Sequence, residues 1–336
     1  LFVRHLVPVA PAFVHNAVDA GSGKSKLFET VSIIATGTKP AMLNAETLRD
    51  EVELRKQLTT LTLSAAPLAV FDNAARGEVL KSPGLANFIT AAVYGDRLLG
   101  SNEEVKAESC TVVGITGNHI EPAGDLTRRM IVIDLDAGCE RPETRDFDFE
   151  PTAEAERDRA ELVVAALTML RAHALAGRPG VTGRGSFGNF EVWDRLVAGA
   201  IVYAGGNDPA KLLEKICVAD PEREGLGEVL HMLEGVGAIT GNGKKAGEIV
   251  AAVRKRADAT LDDAEADEWM ALLRRLGKEG QPDPRRLGRF LTKNARRIVG
   301  GMRLASAMDS HAKVSTYYVE RMENAQPKPA GFAVFC

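Results

Sequence analysis

Residues 18–25 read Val-Asp-Ala-Gly-Ser-Gly-Lys-Ser, and this stretch decides which fold to expect. It matches the phosphate-binding loop pattern G-x-x-x-x-G-K-[ST] at Gly23, Lys24 and Ser25, whereas Val18 stands where the pattern has its first glycine. An apolar run, 12–15, precedes the loop, and apolar residues at helical spacing follow it over 26–36. This order predicts a buried strand, a phosphate-binding loop and a helix. The alternative is a Gly-Ser turn before an ordinary helix.

The residue types in the loop suit a bound nucleotide. Gly21 and Gly23 let the backbone turn so that successive N–H groups face a phosphate at the positive end of the helix. Lys24 would reach the β- and γ-phosphates, and the Ser25 hydroxyl would be a ligand of Mg²⁺. We therefore expect ATP and Mg²⁺ as cofactors, held by Asp19, Ala20, Gly21, Ser22, Gly23, Lys24, Ser25 and Lys26.

A second apolar strand is expected over 67–71, and it ends in Asp72. A carboxylate in this position would help to hold the Mg²⁺ together with Ser25; the alternative is a strand that merely ends in an aspartate. Asn73 occupies the place where many nucleotide hydrolases have a glutamate, and an amide is not a general base at neutral pH. A base from elsewhere is needed for fast hydrolysis, and the sequence does not choose among Glu46, Glu78 and Asp96.

Two further strands follow, and each has polar residues beside it. The segment 110–118 is β-branched and ends in Asn118, which either contacts the γ-phosphate or attacking water or only caps a loop. Arg128 and Arg129 precede the strand 130–135; one of them is expected to act across a subunit interface on the transferring phosphoryl group, and otherwise the pair solvates a helix end. The predicted catalytic residues are Lys24, Asp72, Asn73, Asn118, Arg128 and Arg129.

Taken in order, these motifs carry a resemblance to a known family. Gly-Ser-Gly-Lys-Ser, the apolar strand with Asp-Asn, Thr-Gly-Asn and Gly-Asp-Leu-Thr-Arg-Arg together resemble the AAA+ or superfamily 3-like helicase module of phage and plasmid primase-helicase proteins. The resemblance runs from Phe13 to Leu135 and continues more weakly over 161–206. It implies a P-loop parallel-sheet core, ATP hydrolysis at the interfaces of a ring, with a hexamer favoured, and a sensor-1 role for Asn118.

The same resemblance implies a DNA-gripping hairpin between the second and third core strands. Here that interval contains two short extended segments around a Gly-Ser-Asn turn at 100–102. By resemblance, Arg97, Lys106 and Asn102 would face single-stranded DNA in a central channel. The alternative is a solvated surface hairpin, which Glu103 and Glu104 favour.

The C-terminal part of the chain is basic although the chain as a whole is not. Residues 269–313 contain eleven Lys and Arg against three acidic residues, which is typical of a phosphate-facing surface. We expect a helix over 284–299 and a strand over 314–319, in an arrangement that resembles a winged-helix domain. The alternative is a solvated helix whose arginine stems cover the core. The predicted DNA contacts here are Arg285, Arg286, Arg289, Lys293, Arg296 and Arg297.

Composition limits which kinds of protein this chain can be. The 336 residues are 45% hydrophobic and 26% charged, with a net charge of −4, so a nucleic-acid surface must be local. The sequence has no apolar run of the roughly 18 residues that a membrane helix needs, and its scattered cysteines favour reduced thiols in the cytoplasm. Because the chain begins with Leu1, we expect an upstream segment. We predict an ATPase domain over 1–150, a helical region over 151–240 and a DNA-binding domain over 241–336.

Two functions follow from the sequence. The first is a cytoplasmic, DNA-dependent ATPase that acts as a ring helicase in the replication of a phage, plasmid or integrated mobile element. The second is a DNA-binding regulator whose nucleotide site switches assembly and hydrolyses ATP slowly, which Asn73 and the basic C-terminal part favour. A small-molecule kinase fits less well, because it has no use for the paired arginines or for the long C-terminal region.

Overall fold

The structure is a computed structural model that describes residues 1–97, 104–139, 141–145, 147–184, 187–212, 221–259, 263–309 and 314–322. The chain forms two compact units, Leu1–Asp220 and Pro221–Cys336, and each has its own hydrophobic core. The predicted helical region 151–240 therefore includes residues of both units, because the helices that directly follow residue 150 pack in the first one.

The first unit is built on a parallel sheet of five strands, which confirms the α/β class expected for it. The sheet contains β1 (Ala12–Ala17), β2 (Ala41–Asn44), β3 (Leu68–Ala74), β7 (Val112–Asn118) and β9 (Met130–Leu135). Their order across the sheet is β2-β3-β7-β1-β9. All carboxyl ends of these strands therefore lie at one edge, and β7 separates the strand of the glycine-rich loop from the strand of Asp72.

The strands form because their residues can be buried on both faces, as parallel sheets require. In β3 the segment 68–71 is fully covered, and in β7 the segment 112–117 is buried throughout. Helices cover the sheet, and their ends are marked by sequence: Asp50 caps the second helix through the amides of Val52 and Glu53, and Ser82 caps the third. These helices are α1 (Lys24–Thr36), α2 (Glu51–Ser64) and α3 (Pro83–Thr90).

Short elements complete this part of the unit. Strands β4 (Val79–Leu80) and β8 (Glu121–Pro122) pair in parallel, and β5 (Val93–Arg97) and β6 (Glu104–Glu108) form an antiparallel hairpin. A hairpin was predicted between the strand that ends at Asp72 (β3) and the strand that ends at Asn118 (β7), and its presence is confirmed. Arg55 of α2 holds it through two hydrogen bonds to Asp96, of 2.7 and 2.8 Å. The turn at 98–103, which includes Asn102, lies outside the described residues.

Helices after β9 complete the first unit. Helices α4 (Pro151–Arg157) and α5 (Arg159–Leu175) pack against α1. The chain then forms α6 (Glu191–Trp193), a π-helical segment at Asp194–Ala198 and α7 (Gly199–Tyr203). Trp193 is 5% exposed and packs between Phe13 and Phe187, which joins this helical segment to the core of the sheet.

The second unit combines helices with a small antiparallel sheet. Its helices are α8 (Pro221–Gly235), α9 (Ala246–Ala259), α10 (Ala264–Leu276) and α11 (Pro284–Lys293). Its strands are β10 (Ile298–Val299), β11 (Met302–Asp309) and β12 (Val314–Arg321), paired in chain order. Trp269 is 5% exposed in this core, and the Arg256 guanidinium lies 4.5 Å from its ring centroid.

The predicted helix over 284–299 is too long. Helix α11 ends at Lys293, Arg296 has a positive φ of 71°, and Ile298 and Val299 belong to β10. A residue in the left-handed region does not continue a right-handed helix. Ile298, which fitted the apolar spacing of the predicted helix, belongs to the strand that follows.

Helix α1 contacts the sheet at a point where only a glycine fits. A Cβ atom placed on Gly114 of β7 would lie 2.7 Å from Cζ of Phe28, which is 5% exposed. We predict that Gly114→Ala lowers the free energy of unfolding by about 1–3 kcal/mol, because overpacking displaces a buried aromatic ring. Urea denaturation followed by circular dichroism measures this change.

Gly180→Ala is the matched control, since a Cβ atom there meets no other atom within 4 Å. It should change the unfolding free energy by less than about 0.5 kcal/mol. In the Gly114→Ala background, Phe28→Leu should recover part of the loss. Full stability of Gly114→Ala would contradict the packing described for α1 on β7.

Candidate nucleotide-binding site

The loop between β1 and α1 leaves the amino terminus of the helix open. Gly21 and Gly23 have φ values of 74° and 90°, which only glycine adopts readily. Gly23 is the residue before α1, and it has no side chain with which to cap the helix. The first backbone N–H groups of a helix have no partner within it, so this uncapped end offers donors and a positive dipole to an anion.

Lys24 is the first residue of α1, and its side chain reaches back over this loop. Its Nζ donates hydrogen bonds to Ser22 Oγ at 2.9 Å, to Asn118 Oδ1 at 2.8 Å and to the carbonyl oxygen of Asp19 at 3.2 Å. Partial burial lowers the pKa of Lys24, and the carboxylates of Asp72 and Asp19 oppose this shift. The structure thus brings together Lys24 and Asn118, which are 94 residues apart in the chain.

Asp72 joins three elements at the carboxyl edge of the sheet. Its Oδ1 accepts a hydrogen bond from Ser25 Oγ of α1 at 2.6 Å and one from Thr116 Oγ1 of β7 at 2.5 Å. The Thr116 hydroxyl in turn accepts from the backbone N–H of Asn73 at 2.9 Å. Ser25 and Asp72, which were predicted as the two metal ligands, are therefore adjacent.

These oxygen atoms fit Mg²⁺. Magnesium prefers hard oxygen ligands and usually takes one or two from the protein, with waters and phosphates completing the octahedron. A hydroxyl and a carboxylate are 2.6 Å apart beside the open end of α1. In the described parts of the chain there is no group of three or more His, Cys, Asp or Glu residues that could hold a metal by itself. The donor set suits an ion shared with phosphates.

Asn73 has an unusual backbone conformation that its residue type explains. Its φ is 64°, and the pairing of β3 with β7 shifts register between Phe71 and Ala74. Asparagine is among the few residues that adopt this left-handed region at low cost. The backbone N–H of Asn73 is engaged by Thr116, so this position serves the geometry of the strand end.

The three acids considered as bases differ in their surroundings. Arg49 forms an ion pair with Glu78, and Arg55 forms one with Asp96 at 2.7 Å. In each pair the arginine donates to both carboxylate oxygens, which occupies the atoms that a water would have to approach. Glu46 follows β2, whose last residue Asn44 pairs with Asp72 in the sheet register, and it interacts with the Asn44 amide at 3.3 Å. Glu46 forms no hydrogen bond with an arginine among the described residues, although Arg49 also interacts with it electrostatically.

The two arginines before β9 have different environments. Arg129 has 11% of its side chain exposed and donates to the carbonyl oxygen of Ala86 and, at 3.1 Å, to Thr90 Oγ1. Burial lowers the pKa of Arg129. Arg128 has 55% of its side chain exposed and pairs with the exposed Asp125 at 2.9 Å. Arg129 therefore supports the fold, and Arg128 is the arginine available at the surface.

The predicted DNA contacts lie in two places. Lys106 is exposed on β6, opposite Gly95 in the hairpin; the side chain of Arg97 lies outside the described residues. In the second unit Arg285, Arg289 and Lys293 are exposed and recur every four residues along α11. The other three differ: Arg286 donates to the carbonyl oxygen of Gly277 at 2.7 Å, Arg297 donates to Asn294 at 2.9 Å, and Arg296 is exposed beyond the helix.

Several residues of the site were missed by sequence reasoning. Thr116 is 1% exposed and connects Asp72 with Asn73. His15 of β1 stacks on Phe28 at 3.8 Å and places a ring nitrogen 3.0 Å from the carbonyl oxygen of Lys24; burial lowers its pKa. The strand pattern alone contained a signal for Thr116, since a polar residue inside an otherwise apolar buried strand calls for a partner.

Comparisons with known proteins return little for this chain. No family model matches the sequence, and no curated protein matches it. An apo structure of the NrS-1 C-terminal region is similar with a TM-score of 0.33 and 16% identity, over 48% of this chain and 37% of that chain. A second apo structure of that region has a TM-score of 0.41 and 11% identity, over 94% of this chain and 68% of that chain. This chain thus spans only part of either structure's length.

None of the helices in the described parts of the chain has the length together with the apolar content that a membrane span requires.

Thr116 provides a direct test of the link between Asp72 and Asn73. Thr116→Val keeps the shape of the side chain but leaves the part-buried N–H of Asn73 and the carboxylate of Asp72 without this partner. We predict a loss of about 0.5–1.5 kcal/mol in the free energy of unfolding, the usual net contribution of a hydrogen bond. Denaturant titration of the purified variant measures it.

Thr111→Val is the matched control, because the Thr111 hydroxyl is buried just before β7 and has no hydrogen-bond partner among the residues that the structure describes. This replacement should be neutral or stabilising. Thr116→Ser, which keeps the hydroxyl, should retain most of the stability. If Thr116→Val and Thr111→Val behave alike, the bridge between Asp72 and Asn73 has no energetic role.

Proposed function

We propose that this chain binds and hydrolyses Mg²⁺-ATP. The observation that carries the proposal is the convergence of Lys24, Ser25, Asp72 and Asn118 at the uncapped end of α1. Lys24 would neutralise the β- and γ-phosphates, and Ser25 and Asp72 would hold the Mg²⁺. The ion would supply charge neutralisation for the leaving phosphate, and Asn118 would orient the γ-phosphate or the attacking water.

The activity that fits this site best is that of a DNA-dependent ATPase working as a ring helicase. The sequence motifs support it through their resemblance to the helicase module of phage and plasmid primase-helicase proteins, and a hexamer is the ring favoured by that resemblance. Two observations agree with it: the β5–β6 hairpin carries the exposed Lys106, and Arg128 is available to a neighbouring subunit. We place its role in the replication of a phage, plasmid or integrated mobile element, in the cytoplasm.

The second unit fits a DNA-binding role. Helix α11, with its exposed Arg285, Arg289 and Lys293, directly precedes the antiparallel strands β10, β11 and β12. A basic helix followed by a strand hairpin is the arrangement in which a winged-helix domain places a helix in a groove and a wing on the backbone. This order of elements supports the proposed winged-helix-like character of the unit.

A nucleotide-switched DNA-binding regulator is the second candidate. Asn73 favours it, because the residue after the acid of β3 has no carboxylate and a positive φ of 64°. Such a protein would bind DNA and assemble with ATP but would not unwind a duplex. A strand-displacement assay on the assembled protein separates the two functions.

The catalytic proposal predicts the behaviour of two variants and of their mixture. Lys24→Ala should lower ATP turnover by at least about 100-fold, because the charge that develops on the phosphates loses its main cation. Arg128→Ala should lower it comparably without loss of folding. If Arg128 acts in a neighbouring site, mixtures of the two variants contain intact sites and should regain activity. Phosphate release with single-stranded DNA present measures these rates.

Lys39→Ala is the control for the lysine, since Lys39 is exposed beyond α1 and pairs with Glu29 at 3.3 Å. It should hydrolyse ATP at the wild-type rate. Turnover by Lys24→Ala equal to that of wild type would refute the site, and failure of the mixture to regain activity under assembly conditions would refute the shared arginine.

The DNA proposal predicts a change in salt dependence. Replacing Arg285, Arg289 and Lys293 together by alanine should weaken DNA binding and reduce the slope of log affinity against log salt by about 2 for single strands. Fluorescence anisotropy at several salt concentrations gives this slope. A triple variant with an equal loss of charge on the first unit, Lys39→Ala/Lys56→Ala/Arg157→Ala, should keep the wild-type slope. Equal slopes for all three proteins would exclude α11 from the DNA contact.

A further inference from the structure

A cavity of about 720 Å³ adjoins the glycine-rich loop. One side of it is formed by the loop at 21–23 and the first two turns of α1, through Lys26, Leu27 and Thr30. The other side is formed by the segment that connects β9 with α4, at 145 and 147–151. The cavity has the size of a small-molecule site, and it is continuous with the backbone that would hold phosphates.

The connecting segment is held close to the loop. A Cβ atom on Gly21 would lie 2.8 Å from the backbone N and Cα of Glu143. The loop and the connecting segment are therefore in direct contact there. At the other end, Lys26 of α1 forms an ion pair with Glu150 at 2.8 Å, and Thr152 donates to the same carboxylate at 2.7 Å. The Lys26 ammonium holds the pKa of Glu150 below its usual range. These contacts hold Glu143 and Glu150 of this segment beside the phosphate site.

Three large apolar side chains around this cavity are exposed to solvent. Phe147 is 61% exposed, Phe149 is 52% exposed and Leu27 is 41% exposed. The two phenylalanine rings meet edge to face, with centroids 6.5 Å apart, and the Arg145 guanidinium lies 5.1 Å from the Phe147 centroid. Aromatic side chains left open beside a polar loop are costly in water, which suggests a ligand that covers them.

We infer that Phe147 and Phe149 form a stacking site for the purine base of the nucleoside triphosphate whose phosphates bind the glycine-rich loop. This inference rests on the proposed function, and it adds the residues that would recognise the base. A purine offers a flat ring system of the kind that aromatic side chains and arginine planes bind by stacking. Leu27 would cover the base from the helix side, and Arg145 would extend the stacking surface.

Comparison of ATP with inorganic tripolyphosphate separates base binding from phosphate binding. Titration calorimetry of the full chain with Mg²⁺ should give Phe147→Ala/Phe149→Ala an ATP affinity about tenfold below that of wild type, the loss expected for one stacked base. The affinity for tripolyphosphate should stay within about twofold, because that ligand has no base to stack. Lys24→Ala should weaken both ligands.

Two further variants are controls for the change in ATP affinity. Phe147→Tyr/Phe149→Tyr keeps both aromatic faces and should retain the ATP affinity. Leu175→Ala removes a side chain of 77% exposure from the far end of α5 and should bind both ligands as wild type does. Because Phe147 and Phe149 are exposed, thermal unfolding of the alanine variant should match that of wild type.

The possible results are distinct. Unchanged ATP affinity in the double alanine variant, with both ligands weakened by Lys24→Ala, overturns the base site and leaves the phosphate site in place. An equal loss for ATP and tripolyphosphate also overturns it, since the aromatic residues would then hold the loop. If Lys24→Ala affects neither ligand, the phosphate site is wrong and the base site fails with it.

Discussion

One carboxylate oxygen, Oδ1 of Asp72, holds the candidate site together. It accepts hydrogen bonds from Ser25 at the start of α1 and from Thr116 of β7. This contact is available only because β7 lies between β1 and β3, so that the glycine-rich loop and the acid end on the same edge with one strand between them. Lys24 then reaches across to Asn118 at the end of that middle strand. The order of the strands thus determines which side chains meet.

The parts of the fold that the sequence predicted are those with local signals. The glycine-rich loop, its flanking strand and helix, and the strand ending at Asp72 each depend on residues within about ten positions of one another. The hairpin between β3 and β7 was also predicted correctly, from two short extended segments around a turn. In the second unit a helix was expected over 284–299, but α11 ends at Lys293, and Ile298 and Val299 belong to β10.

The remaining features depend on contacts between distant residues. Arg128 and Arg129 are equivalent in the sequence, and only the carbonyl of Ala86 and the hydroxyl of Thr90 distinguish the buried one from the exposed one. Glu46, Glu78 and Asp96 are separated in the same way by the arginines that face two of them. The roles of Thr116 and of the Phe147–Phe149 pair depend on elements that are distant in sequence and pack beside them. Periodicity and composition carry no information about such pairings.

The placement of the tryptophans has a practical consequence. The chain has two, and each compact unit contains one of them, buried to the same degree in its own core. Trp193 is surrounded by phenylalanine rings, whereas Trp269 lies beneath a guanidinium group. Intrinsic fluorescence therefore carries a separate signal from each unit. In a chain with Trp193→Phe, emission reports the unfolding of the second unit alone, and with Trp269→Phe it reports the first.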